Sequence, residues 1–217
     1  MLKQKQFVEM DFTGRIKDTN EVFDTTIPEE AKNLGDKKVK PMRLCIGEGM
    51  LLEKFDKALE GKELGKQYSI ELSAKEAFGE RKKELVKMLP LGIFTEKGVM
   101  PYRGLVLDMD DMIVRVVSVS GGRVIADFNN PLAGKSLMYT FKINRILDDK
   151  KEQVEVLFEN LLRIPDVKIE VKENKAIAEF KLKEAEFKIL KEISKPFSEK
   201  VKSLVGIELE LVNSPKA

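Results

Sequence analysis

Residues 71–80, ELSAKEAFGE, place Phe78 in a Gly-bounded turn where Ser, Asn or Asp is the ordinary choice. Phe78 is either a core residue folded back under its own loop or a residue facing a binding cleft. The inventory of reactive side chains limits what such a cleft could do. The sequence has no histidine and a single cysteine, Cys45. Imidazole acid–base catalysis and an internal disulfide are excluded, and a zinc site would have to be built from carboxylates and one thiol. Nothing near Cys45 supports a nucleophile, so it reads as a small buried strand residue. The remaining resource is twelve Phe and three Tyr rings, any one of which could be core. Rings lining an apolar cleft act by differential binding of shape and polarity rather than by bond-making.

Composition narrows the partners. Lys plus Arg number 39 and Asp plus Glu 37, a net charge of +2, so there is no overall electrostatic case for nucleic acid or an anionic membrane. The N-terminus, MLKQKQFVEMDF, has no apolar h-region. No run approaches 18 apolar residues, so no membrane-spanning helix is expected. These features fit a reducing cytoplasm, and the heavy use of Lys and Glu leans towards a thermophile. A chain of 217 residues has room for two or three small domains.

The elements that must position the rings can be read from hydrophobic period. FVEMDFTGRI (7–16) reads as a strand with Val8, Met10 and Phe12 on one face, and VFDTT follows a turn at 18–20. In PMRLCIG, Met42, Leu44 and Ile46 alternate. The period then changes: Leu52, Phe55 and Leu59 form one face of a short helix stopped by Gly61. Tyr68, Ile70 and Leu72 return to strand. From Lys82 the chain reads as a small all-β unit, with two strand-like runs joined at Ser120-Gly121-Gly122-Arg123, a hairpin signal. Its strands around Met112–Val119 and Val124–Phe128 are expected to offer backbone edges. Leu137, Tyr139, Phe141 and Ile143 alternate in a strand expected to join the first sheet. Residues 151–217 read as an α+β unit: helix, hairpin near Asn174, helix interrupted near Pro196, closing strand.

Five segments in this order, DFTG (11–14), VFDTT (22–26), KPMRLCIGEGMLLEKFDKALEG (40–61), AFGE (77–80) and LAGKSLMYTF (132–141), resemble the FKBP-type peptidyl-prolyl cis-trans isomerases. The intervening unit, followed by NNPLAGKSL, looks like the insert-in-flap domain of the SlyD-like branch. The C-terminal unit is similar to that of the long archaeal members. The resemblance implies an α+β fold: an FKBP-type antiparallel sheet wrapped on a short helix (1–83 and 130–150), an inserted small all-β domain (84–129), and a C-terminal α+β domain (151–217). It implies catalytic positions at Phe12, Asp24, Phe55, Phe78 and Tyr139. Substrate-binding positions fall at Phe23, Met42, Leu44, Leu51, Leu52 and Leu132. Phe55 takes the floor, and Phe78 stands where a tyrosine is common. Met88, Met100, Met109 and Met112 would form a chaperone surface, since methionine suits promiscuous binding. A His-rich metal-binding tail is absent, and no metal or cofactor is implied.

The implied reaction suits the residues. Rotation about a peptide bond costs ~18–20 kcal/mol because resonance is lost, and X–Pro bonds interconvert over tens of seconds or longer. No bond breaks, so no proton shuttle is needed. The planar amide is more charge-separated than the twisted one, so an apolar pocket favours the twisted form. Asp24 is expected to orient neighbours and bound backbone, though it could simply cap a turn. The implied substrates are unfolded or nascent polypeptides with X–Pro bonds. The alternatives are a non-catalytic holdase and a dimeric scaffold. A homodimer through 151–217 is expected because so short a unit with Phe158, Phe180, Phe187 and Phe197 has little core of its own. The insert could also be a plain β-domain.

Overall fold

The computed structural model describes residues 1–35, 39–109 and 112–214. Its chain begins with β1 (Phe7–Ile16), β2 (Val22–Thr25), α1 (Pro28–Ala31), β3 (Met42–Cys45), α2 (Glu53–Leu59) and β4 (Gln67–Leu72). There follow β5 (Val86–Pro90), α3 (Gly92–Thr95), β6 (Val106–Met109), β7 (Met112–Ser120), β8 (Arg123–Asp127) and β9 (Leu137–Ile146). The last part holds α4 (Lys150–Leu157), β10 (Lys168–Lys172), β11 (Lys175–Phe180), α5 (Glu184–Ile193), α6 (Lys195–Val205) and β12 (Glu208–Asn213). This is the mixed α+β class that the resemblance implies.

The chain separates into two units. One comprises Met1–Arg15, Asn20–Ile70 and Met138–Ala217; the other Ile16–Thr19 and Glu71–Leu137. A five-stranded sheet has the order β2-β1-β9-β4, with β3 also paired to β1. The strand expected at 137–143 does join it. In the first unit α2 buries Phe55 and Leu59, as the i, i+3, i+7 spacing requires. Between β1 and β2 the register slips: Gly14 faces Asp24 while Arg15 faces Val22. Phe23 is therefore the extra residue of a bulge, a device that re-aims a side chain.

The C-terminal residues do not keep a core to themselves. Phe158, Phe180, Phe187 and Phe197 share one buried cluster with Phe7 of β1, Cys45 of β3 and Leu147. Arg43 of β3 reaches Glu155 at 3.1 Å and Glu159 at 2.7 Å. The small-core reason for expecting self-association is thereby removed. The break near Pro196 is present, with α5 ending at Ile193 and Pro196 in the first turn of α6. The β10–β11 hairpin is joined by β12 running parallel to β11.

In the second unit the strand order is β5-β8-β7-β6. The Ser120–Arg123 hairpin forms between β7 and β8. These are the two inner strands, so the expectation that they offer free edges is corrected: β5 and β6 are the edges. The run read as one strand before that hairpin is two, β6 and β7, with Met109 opposite Met112 and residues 110–111 between them outside the described residues. The core of this unit is Phe94, Met109, Val114, Val116, Val124 and Ala126.

Candidate functional site

Phe55 rises from α2, only 1% exposed, and its ring centroid lies 4.7 Å from Tyr139 and 5.1 Å from Phe141. Tyr139, 6% exposed on β9, also meets Phe12 at 6.0 Å and Phe23 edge-on at 5.7 Å. Three expected rings from three elements thus converge on Tyr139. Phe23, Met42, Leu51 and Leu52 are half-buried, so each keeps some apolar surface exposed. Leu44, expected in the wall, is completely buried and backs the wall rather than lining it.

Gly14 makes this packing possible. A Cβ there would lie 2.6 Å from Phe23 Cζ and 3.0 Å from Tyr139 Cε1. The residues around it lock the two motifs DFTG and VFDTT together. The Phe12 N–H donates to Thr26 Oγ1 at 2.9 Å, and the Thr26 N–H returns to the Phe12 carbonyl at 3.0 Å. Thr26 Oγ1 donates to Asp11 Oδ1 at 3.0 Å, and Asn144 Nδ2 donates to Asp11 Oδ2 at 2.8 Å. Thr13 and Thr25 hydroxyls meet at 2.9 Å. This network fixes Phe12 on one side and the bulged Phe23-Asp24 pair on the other. Thr25, Thr26 and Asp11 sat inside the recognised motifs, but their positioning role was not read from the sequence.

Asp56 was also missed. It is 5% exposed, and its two oxygens accept from the Gly47 N–H at 2.9 Å and the Gly49 N–H at 3.1 Å. It fixes the turn that carries Leu51 and Leu52 into α2. Both glycines have positive φ, 84° and 69°, the conformation that glycine adopts without strain.

Electrostatically the cup is set against ionisation. Burial, with a smaller contribution from the Asp24 charge, pushes the Tyr139 phenol up to about 12. Asp24 itself is exposed. Burial, with Glu48 and Asp56 nearby, pushes the Cys45 thiol up to about 12, so Cys45 is a protonated core residue and not a nucleophile. Nothing here is poised to transfer a proton near neutrality. The arrangement can desolvate and shape a bound apolar group.

Phe78 and Leu132 belong to the second unit. Phe78 is 38% exposed. Its turn follows a capping box at Ser73, whose N–H donates to Glu76 Oε2 at 2.9 Å. Gly79, with φ +80°, accepts from the Gly134 N–H at 2.8 Å. That bond ties the AFGE turn to the NNPLAGK loop, where half-buried Leu132 donates its N–H to Asn130 Oδ1 at 2.8 Å. The structure therefore decides half of the opening question: Phe78 is not folded under its own loop.

Of the four methionines expected on a chaperone surface, Met88 is 60% exposed, Met100 75% and Met112 49%. Met109 is not with them. It is 7% exposed, because β6 turns Leu107 and Met109 into the core and Val106 and Asp108 outward.

The comparisons with known proteins agree with this geometry. Residues 1–91 match the family model of the FKBP-type peptidyl-prolyl cis-trans isomerases, and residues 87–132 match the FKBP26 IF domain. A short-type peptidyl-prolyl cis-trans isomerase of Methanocaldococcus jannaschii is 26% identical over 156 residues, 70% of this chain and 98% of the relative. The FKBP-type isomerase SlyD of Helicobacter pylori is 25% identical over 154 residues, 69% of this chain and 77% of the relative. SlyD of Escherichia coli K12 is 26% identical over 117 residues, 52% of this chain and 60% of the relative. The resemblance read from the ordered motifs is borne out, insert included: the chain carries an FKBP-type peptidyl-prolyl cis-trans isomerase domain followed by an FKBP26-type IF domain.

Proposed function

We propose that this isomerase turns X–Pro bonds in the cup around Tyr139 and that the inserted unit holds unfolded chains for it. The observation that carries the reading is the convergence of Phe12, half-buried Phe23 and Phe55 on Tyr139. A proline ring entering this cup leaves water together with its amide. The planar amide, being charge-separated, loses more solvation than the twisted one, so the barrier falls. A fall of about 1.4 kcal/mol gives tenfold in rate. Asp24 orients bound backbone. Phe78 and Leu132 are assigned as substrate contacts from the motif match, and residues 84–129 as the client-holding part. The proposed clients are unfolded or nascent polypeptides in a reducing cytoplasm.

The holding role rests on exposed apolar side chains. Met88, Met100, Tyr102, Val106, Met112 and Ile113 are each about half exposed or more, an excess that marks interaction surfaces. The edge strands β5 and β6 allow an extended client to add its backbone to the sheet. The test separates the two activities. Lys82 and Asn129 exchange hydrogen bonds of 2.8 and 3.0 Å, so the neck of the insert is closed and a short Gly linker can replace residues 84–128. Turnover of a proline tetrapeptide should survive this excision. Catalysis of the proline-limited refolding of a whole protein should fall much further. Equal proportional losses would mean that the insert only shapes the cup.

A further inference from the structure

A groove of about 700 Å³ runs through the second unit. Its lining includes four cations, Arg81, Arg103, Arg115 and Lys135, against one carboxylate, Asp127. In a chain whose net charge is only +2, this is a local concentration. Asp127 is already occupied. Arg81 donates to its Oδ2 through Nε at 3.0 Å and a terminal nitrogen at 2.6 Å, and Asn129 donates to its Oδ1 from backbone and side chain at 3.0 and 2.6 Å. Burial raises the Asp127 pKa, but the bonds from Asn129 and Arg81 outweigh it and hold the group below the usual carboxylate range. Arg103, Arg115 and Lys135 have no ion-pair partner among the described residues. Asp108, on the outward face of β6, is not part of the lining.

The same groove carries exposed aliphatic side chains. On β7, Ile113, Arg115 and Val117 are exposed while Val114 and Val116 are buried, so the guanidinium is flanked by two apolar side chains on one face. Across the ladder Arg115 pairs with Val106, which is 57% exposed on β6. β6 is a sheet edge, with one side of its backbone open. An extended polypeptide has the matching period: alternate side chains point to one face. The lining has no aromatic ring on which bases could stack, which argues against single-stranded nucleic acid.

We propose that this groove selects acidic–apolar client segments, extended stretches in which aliphatic residues are interspersed with Asp or Glu. The inference rests on the client-holding role proposed for the insert and specifies which clients it prefers. The aliphatic side chains contact Val106, Ile113 and Val117, and the carboxylates pair with Arg103, Arg115 and Lys135. Such pairs are exposed, so their gain is small individually and sensitive to salt.

The test uses the full-length protein and three labelled peptides that contain no proline. They share one valine-rich extended core and carry Glu, Gln or Lys at the intervening positions. Binding is followed by fluorescence anisotropy. The expected order is Glu over Gln over Lys. The Glu-to-Lys ratio should be about tenfold at low salt, the yield of a few exposed pairs, and should shrink as salt is raised. Arg103→Glu combined with Arg115→Glu should invert the order while leaving the Gln peptide nearly unchanged, with a thermal melt confirming the fold. Equal binding of all three peptides, unmoved by the charge reversal, would overturn the selectivity and leave client holding intact. Binding of none of them would overturn client holding and this inference with it. Tighter binding of an oligothymidylate than of the Glu peptide would overturn the assignment to polypeptide.

Discussion

Gly14→Ala separates the geometry of the cup from its stability. The added Cβ would lie 2.6 Å from Phe23 Cζ, where carbon contacts sit at about 3.5–4.0 Å. Something must retreat by about 1 Å. Tyr139 is wedged between Phe12 and Phe55 and is 6% exposed, whereas Phe23 is half-buried on a bulge, so Phe23 is the ring that moves. Losing the edge-on Phe23–Tyr139 contact costs about 0.5–1.5 kcal/mol. Replacing glycine inside a strand returns about 0.5–1 kcal/mol. The net change in unfolding free energy is within about 1 kcal/mol, a shift of only ~2–4 °C for a chain of this size. Catalysis has no such compensation, because a displacement of about 1 Å in a binding wall can cost as much as a hundredfold. The expected result is a fall of about ten- to a hundredfold in kcat/KM on an X–Pro tetrapeptide, by protease-coupled assay, with a nearly unchanged melt. A double-mutant cycle checks the route: once Phe23→Ala has removed the ring, adding Gly14→Ala should cost little more. A Gly14→Ala protein as active as wild type would refute the assignment of Phe23 to the working surface.

Three further outcomes are expected. Phe55→Ala should cost about 3–5 kcal/mol of stability and lower the activity of the still-folded protein at least tenfold; a urea melt run beside the peptide assay measures both. Asp24→Asn should slow turnover less than about tenfold, or ~1.4 kcal/mol, because no proton moves; abolished activity in a folded variant would require a charge role not described above. Alkaline stability should depend on Tyr139: below pH 10 both states keep the phenolic proton, whereas between 10 and about 12 only the folded state does, so unfolding becomes easier as pH rises through that window. The full loss amounts to about 2–3 kcal/mol; urea melts at pH 9 and 11 should show about half of it, absent in Tyr139→Phe.

What could be read in advance follows the range of the forces involved. The helix α2 was legible from Leu52, Phe55 and Leu59, and the β7–β8 hairpin from Ser120-Gly121-Gly122-Arg123, because each is set by residues within a turn or two. The rings of the cup were legible only as an ordered set of motifs, since no local rule brings Phe12, Phe23 and Phe55 to Tyr139. The inward turn of Met109 was legible but overlooked: Leu107 and Met109 form the wholly apolar alternating set of VLDM, while Asp108 marks the other face. The bulge that re-aims Phe23 depends on the register between β1 and β2, which VFDTT does not announce. Asp56, in EKFDKAL, reads as a solvated helix charge. Its burial depends on the Gly47 and Gly49 amides, which no helical period relates to it. The parallel β11–β12 pair is likewise joined across two helices.

The shared C-terminal core changes what truncation should do. As an independent domain, 151–217 could be removed to leave a folded, active protein. The structure instead buries Phe7 at 2% exposure, and Cys45 and Leu147 completely, against Val154, Phe158 and their neighbours. Truncation after Lys150 would expose all three. It would also strip Arg43 of Glu155 and Glu159, and free the Arg43 carbonyl that accepts from Asn160 Nδ2 at 3.0 Å. Full exposure of a Phe or Leu side chain costs about 1.5–3 kcal/mol each, so the two together cost ~3–6 kcal/mol of a native margin that is typically ~5–15. The truncated protein should melt about 10 °C lower or more, and it should associate through the uncovered apolar face as its concentration rises. Thermal melts and light scattering on both lengths measure this. A truncated chain that melts within a few degrees of the full-length one and scatters as a monomer would show that the shared core is dispensable. A full-length dimer would have to use another surface. Ile189 and Ile193 on α5, 60% and 64% exposed, are large apolar side chains available in that segment, and Ile189→Lys with Ile193→Lys would then dissociate it without touching the shared core.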